Sequence, residues 1–174
     1  SVPDTVRLMT SLRYVATSGN SFNEQPLLDL SKLVNLKELA MSENNLVGTI
    51  PDSIAELSSL EILDLPSNAL AGSIPTWISM LQNLNQLQLN RNELTGSIPL
   101  QLENMASLRS LQLDGNDLSG NADSVCESDL VLQLSTFSTD CYSGQNGERP
   151  EIDCRCCTRC CADDDESCNS GGTV

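Results

Sequence analysis

The chain of 174 residues contains no histidine. It therefore has no Ser–His or Cys–His pair for nucleophilic catalysis, and it has no glycine-rich loop that would cradle a phosphate. Aromatic residues are scarce: two Phe, one Trp and two Tyr. A core must be filled by aliphatic side chains instead. Basic residues number nine against 24 acidic ones, a formal net charge of -15. Such a surface repels phosphate backbones and anionic membranes, which argues against nucleic acid as a partner. The acidic surplus suits cationic partners or divalent ions, and equally a protein kept soluble by its charge, so its sign selects no ligand. No run of about 20 apolar residues exists, and no membrane insertion is expected. No secretory signal is visible and Ser1 falls inside a repeat, so we expect a processed or truncated product.

What the chain does have is a period. The stretch 60–75, LEILDLPSNALAGSIP, recurs at shifts of 24 residues: forward at 84–99 and 108–120, backward at 36–51 and, degraded, at 12–22. A fixed period in this range specifies a solenoid, a single core built by stacking. One column holds Asn20, Asn44, Asn68, Asn92 and Asn116. Another holds Val2-Pro3, Ile50-Pro51, Ile74-Pro75 and Ile98-Pro99. The second turn departs, with Pro26-Leu27 in that column and Glu24 where Gly48, Gly72, Gly96 and Gly120 stand later.

The pattern LxxLxLxxNxLxGxIPxxLxxLxx, over residues 2–140, resembles the plant-type leucine-rich repeat. The resemblance implies a leucine-rich-repeat solenoid of the α/β horseshoe type: a parallel β-sheet on the concave face, short 3-10 or helical turns on the convex face, and a disulfide-rich C-terminal cap. In the LxLxx strand, Leu63 and Leu65 should enter the core while Ile62, Asp64 and Pro66 face outward. Each column Asn should sit at the bend after its strand and bond backbone groups that a leucine core would leave unpaired. The Gly before Ser/Thr-Ile-Pro supplies a φ its neighbours resist, and the Pro fixes φ where the chain turns onto the convex side. Segments such as 53–57 and 77–81 should then make a single helical or 3-10 turn.

The first turn carries Val6, Met9, Leu12, Val15 and Phe22 in the apolar columns, but Thr17 replaces the second strand leucine. A weakened unit of this kind is expected near an end or against a neighbour, so we expect upstream repeats or another subunit to cover the N-terminal edge. After Gly120 the Ile-Pro pair becomes Ala122-Asp123, yet Leu132, Phe137 and Asp140 lie 24 residues beyond Leu108, Leu113 and Asn116. The spacing predicts a sixth strand in LVLQLSTFSTD, with Asp140 in the Asn column able to accept but not to donate, and the solenoid ending there. The expected organisation is a solenoid of about six coils over 1–140, a cysteine-rich cap over 141–168 and a flexible tail over 169–174.

All eight cysteines follow the repeats: Cys126, Cys141, Cys154, Cys156, Cys157, Cys160, Cys161 and Cys168. An even number crowded into one terminal segment reads as a disulfide-stapled cap made in an oxidising compartment, outside the cytosol. The C-x-C-C-x-x-C-C cluster has spacings that also occur in thiolate zinc sites. Adjacent cysteines rarely bond each other, so the pairs should reach different partners, with Cys126 and Cys141 as anchors; four disulfides and no metal are expected. The tail resembles that of secreted leucine-rich-repeat proteins of diatoms and related algae. The acidic run 163–166 has carboxylates for Ca²⁺ but not the glycine turn of a calcium loop, and reads as a solvated tail.

The concave face is where such repeats usually bind, because parallel strands about 4.8 Å apart present rows of side chains on a rigid sheet. The rows are Tyr14, Glu38, Ile62, Gln86, Ser110; Ala16, Ala40, Asp64, Gln88, Gln112; and Ser18, Ser42, Pro66, Asn90, Asp114. Candidate ligand-binding residues are these, the Ala and Pro positions aside. Tyr14 and Ile62 are the large anchors, which predicts modest affinity. Spacing alone leaves open a carboxylate pair, Asp64 with Glu61, but charged residues are expected on an exposed strand anyway. No catalytic residue or cofactor is assigned, and the chain is read as non-enzymatic.

Two functions fit. The first is an extracellular recognition module, similar to the ectodomains of plant receptor kinases and polygalacturonase inhibitors, binding a protein, peptide or glycan on the concave face. The second is a structural or adhesive component of an extracellular layer or filament, assembling through its ends and flanks. Ice or mineral binding through the short row Thr49, Ser73, Ser97 is a third.

Overall fold

From the second coil to the fifth the turns bury the same columns, and burial of those columns stacks the turns. The computed structural model describes residues 4–22, 27, 30–140, 152–154, 156–161 and 169–170. Strands β1 (Tyr14–Ala16), β2 (Glu38–Ala40), β4 (Ile62–Asp64), β6 (Gln86–Gln88), β8 (Ser110–Gln112) and β11 (Thr136–Asp140) stack in parallel in that order. Through β8 the register is the sequence period itself: Val15 faces Leu39, which faces Leu63, then Leu87, then Leu111. Leu36, Leu60, Leu84 and Leu108 are fully buried, as are Leu65, Leu89 and Leu113. At about 1.5–3 kcal/mol for each large side chain removed from water, these columns outweigh any single polar contact in holding coil to coil.

A second sheet follows the bend: β3 (Val47–Gly48), β5 (Ala69–Ser73), β7 (Glu93–Gly96) and β9 (Asp117–Leu118), again parallel. The chain then turns at Pro51, Pro75 and Pro99, which hold φ of -74, -70 and -64° at the entrance to the 3-10 helices Asp52–Glu56, Thr76–Met80 and Leu100–Asn104. Each 3-10 helix sends one apolar residue inward: Ile54, Ile78 and Leu102, all fully buried.

Two expectations about the last coil are corrected. The offset from β8 to β11 is 26 residues, with Phe137 facing Leu111. Leu132 is 83% exposed, and Leu130 fills the core in its place. The cause is the loss of Ile-Pro. Without it the chain forms a helical turn at Asp123–Cys126 and a 3-10 helix at Asp129–Leu132, which lengthens the coil. Nor does the sheet stop at Asp140. Strand β12 (Ile152–Asp153) pairs in parallel with β10 (Gly120–Asn121), and β13 (Arg159–Cys161) pairs in parallel with β11. Strand β14 (Asn169–Ser170) then pairs antiparallel with β13. Ile152 is fully buried, so the segment after Asp140 covers the end of the core instead of leaving it.

Among the described residues, no helix is long and apolar enough to cross a membrane.

Candidate functional site on the concave face

Because side chains alternate along a strand, each strand triplet such as Ile62-Leu63-Asp64 sends its central residue inward and its two flanking residues outward. Two of the outward rows form ladders across the strands. Tyr14, Glu38, Ile62, Gln86 and Ser110 are cross-strand neighbours, and so are Ala16, Ala40, Asp64, Gln88 and Gln112. Tyr14 is 62% exposed, whereas Glu38, Ile62, Gln86, Asp64, Gln88 and Gln112 are half-buried and Ser110 is buried. In the third row Ser18 is exposed, Ser42 and Asn90 are half-buried and Asp114 is buried. Thr136 and Ser138 extend the first two rows by one strand. Counting by 24 overlooked both, because the last coil is two residues longer.

Part of this surface is already engaged. The Ser42 hydroxyl donates to Ser18 Oγ at 2.7 Å, and the Ser138 hydroxyl donates to Asp114 Oδ1. Glu61, which precedes its strand, pairs with Lys37 one coil back. Other groups are not satisfied by the protein. Asp64 Oδ1, at the end of β4, and Asn90 Oδ1, two residues beyond the end of β6, are both buried with no hydrogen-bond donor among the described residues. Burial holds the Asp64 carboxyl above the usual aspartate range, and the nearby Glu38 carboxylate adds to that shift. These two acceptors make the centre of the face a place where an incoming N–H or O–H donor relieves a cost.

The Asn column supports the face from behind. The Asn92 amide donates to the carbonyls of Leu89 and of Leu65 one coil back, both at 3.0 Å, while its Oδ1 accepts from Leu70 N–H at 3.0 Å. Asn44, Asn68 and Asn116 repeat this linkage. Asn20, in the first coil, bonds only its own bend, to Thr17 and Ser18 carbonyls. A second column was not foreseen: Gly19, Glu43, Ser67, Arg91 and Gly115 all adopt positive φ, 52 to 69°. Glycine at both ends of that column was its one sequence signal. The Gly48, Gly72, Gly96 and Gly120 column has φ of 80 to 104°, the conformation for which it was singled out.

Among the described residues two disulfides form near the C-terminus, Cys126–Cys156 and Cys154–Cys157. The sulfurs of Cys126, Cys154 and Cys156 lie within 4.8 Å of one another, the closest that the described residues come to a thiolate metal site. Oxidised to disulfides, they have no thiolate to offer a zinc ion. Cys141, Cys168 and the side chains of Cys160 and Cys161 lie outside the described residues, as does the acidic run 163–166.

Comparison with known proteins agrees with this architecture. The family model described as Leucine rich repeat matches residues 74–118, and another described as Leucine Rich Repeat matches 35–57 and 59–81. The structure is similar to that of a TDR receptor (29% identity, TM-score 0.73, covering 88% of this chain and 25% of that one). It is similar to a plant ice-binding protein (32% identity, TM-score 0.67, covering 82% and 44%). It is also similar to the Arabidopsis receptor kinase HAESA in complex with the peptide hormone IDA and the co-receptor SERK1 (27% identity, TM-score 0.65, covering 98% and 25%). The chain thus spans less than half the length of each of these structures. No curated protein matches it. The fold is a leucine-rich-repeat solenoid.

Proposed function

We propose that this chain is an extracellular recognition module that binds a protein or peptide on its concave face, without catalysis. One observation carries the reading: two outward rows run unbroken across β1 to β8, and beside them Asp64 and Asn90 each keep a buried oxygen that no donor among the described residues satisfies. Over β1 to β8 Glu38, Asp64 and Asp114 line the rows and no Lys or Arg does, so this part of the face favours ligands that bring N–H donors and positive charge. Disulfides near the C-terminus fit an oxidising, extracellular setting. The peptide hormone in the HAESA complex supports a peptide over a glycan here. The test is selection of peptides from a displayed random library on the folded chain, counter-selected against Gln88→Lys. Clones rich in Arg or Lys that lose binding in the variant support the reading; clones indifferent to it defeat it.

A second reading, association through the solenoid end, has its own observation. Val6, Met9, Leu12, Tyr14 and Phe22 line an open cleft of about 290 Å³ beside Leu30 and Met41 in the first coil. Leu8 and Met9 are 80% and 53% exposed there. A further repeat or a second subunit would cover this edge. Sedimentation equilibrium of the chain, with Met9→Lys beside it, distinguishes the readings: concentration-dependent association abolished by that variant favours the second.

A further inference from the structure

Away from the concave rows, none of whose residues take part, a groove of about 710 Å³ runs along the junction between the second sheet and the 3-10 helices. Its volume lies within the range of small-molecule sites. Not one of its twelve lining residues is charged, in a chain where charged residues make up 19% of the sequence. The groove is thus neutral where the molecule is strongly acidic. It offers no countercharge for an ionic ligand.

Its chemistry is instead a mixture at short range. Ser73, Ser97 and Asn121 stand in one column, a coil apart, and Gln101 adds an amide from the neighbouring 3-10 helix. These side chains both donate and accept hydrogen bonds. Between them lie the buried Ile74 and Ile98, with Pro99. Gly96 and Gly120 leave the walls without side chains, at φ of 80 and 104° that other residues resist.

One group in the wall lacks a partner. Ser124 is 6% exposed and its hydroxyl finds no hydrogen bond among the described residues. A buried hydroxyl without a partner is costly, and such a group beside a groove marks a place where a ligand supplies the missing bond.

We propose that this groove binds a neutral oligosaccharide. A sugar ring carries hydroxyls that donate and accept, and a C–H face that packs on aliphatic surface, which is the mixture the groove presents. In this sheet Ser73 pairs with Thr95 and Thr95 with Asp117, so Ser73, Ser97 and Asn121 recur once per coil in a staggered column, and a linear chain of sugars laid along it meets similar polar contacts at successive coils. This site is independent of the concave face.

The experiment is a titration of the isotope-labelled chain with cellohexaose, xylohexaose and laminarihexaose, with oligogalacturonate as the anionic control, followed by NMR. At least one neutral hexasaccharide is expected to bind saturably, with Kd on the order of 1 mM, and to shift Ser97, Gln101 and Ser124 resonances. Ser97→Lys should weaken it by about tenfold or more, Gln101→Ala by less, and the concave variant Gln88→Lys not at all. Backbone spectra of each variant report folding directly, and Gln101 lies on an exposed helix position where truncation leaves the core intact. The proposal is overturned if no neutral hexasaccharide binds, if oligogalacturonate binds as well, or if Gln88→Lys abolishes binding while Ser97→Lys does not. Inhibition of ice recrystallisation that is lost in Ser97→Lys, without sugar binding, would assign the row to ice and equally overturn it.

Discussion

The carboxylate of Asp140 accepts the backbone N–H of Asn116 at 3.0 Å, and its other oxygen accepts Gly115 N–H at 2.7 Å. In the coils before it the equivalent amides are served by backbone: Asn92 N–H by the Gly115 carbonyl and Arg91 N–H by the Asp114 carbonyl. One side chain thus takes the place of two backbone carbonyls. Asp140 aligns with Asp114 in the outward row, so it is not the Asn-column residue that a count of 24 suggests.

Replacing Asp140 by Ala removes both acceptors from a site that is 2% exposed. Each orphaned donor costs roughly 1–3 kcal/mol, and Asp140→Asn should fall between Ala and wild type because it keeps one acceptor. Urea denaturation of the three proteins gives the order; Asn as damaging as Ala would remove the two-acceptor account.

Asn68→Ala and Asn92→Ala should each lower stability well beyond Gln88→Ala or Gln112→Ala. The ladder amides hold buried carbonyls and an N–H from two coils, roughly 1–3 kcal/mol for each group left unpaired. The glutamines face outward and are half-buried. Melting temperatures that shift alike in both classes would mean that the ladder carries no load.

Asp64 sets a pH dependence. Burial, and then Glu38, raise its pKa in the fold, so the folded state holds the proton more tightly than the unfolded one. Stability from this group is therefore present below the unfolded value of about 3.9 and is lost as pH rises through the folded value. Asp64→Asn should melt higher than wild type at neutral pH, with the gap closing in acid. A gap that stays constant with pH would show that the carboxyl titrates as if exposed.

The two disulfides differ in what they constrain. Cys126–Cys156 spans a sequence separation of 30 and Cys154–Cys157 one of 3. Replacing Cys126 and Cys156 together by Ser should cost roughly 2–5 kcal/mol, and the Cys154/Cys157 pair less, because the entropy of the closed loop grows with its length. Guanidinium titrations of the two double variants should rank them in that order, and the reverse order would implicate local packing instead.

The repeating body was legible because each column is redundant: five asparagines and the inward strand residues Val15, Leu39, Leu63, Leu87 and Leu111 vote for one register, and a single oddity such as Thr17 is outvoted. The final coil lost that redundancy. Leu130, Val131 and Leu132 are all apolar, so periodicity alone could not say which of them turns inward, and a two-residue insertion there moved the whole strand. The concave rows were legible for the same reason as the strands. The unsatisfied oxygens of Asp64 and Asn90 were not, since they arise from how far neighbouring rows bury them, which no spacing encodes. The positive-φ column was hidden by Glu43, Ser67 and Arg91, which adopt that conformation only because the stacked bends above and below impose it.

The Cys126–Cys156 bond gives the solenoid a direction of fraying. A stack of coils opens from its ends, because an end coil has one neighbour where an inner coil has two. Here the helical turn of the last coil is welded to the segment that leads into β13, so peeling that end releases a closed covalent loop and gains less chain entropy than peeling a free one. The first coil has no such weld among the described residues, and its Val15 is the least buried of the strand's inward column. Amide exchange should accordingly run as a gradient, fastest at β1 and slowest towards β8, and chemical reduction should make it symmetric.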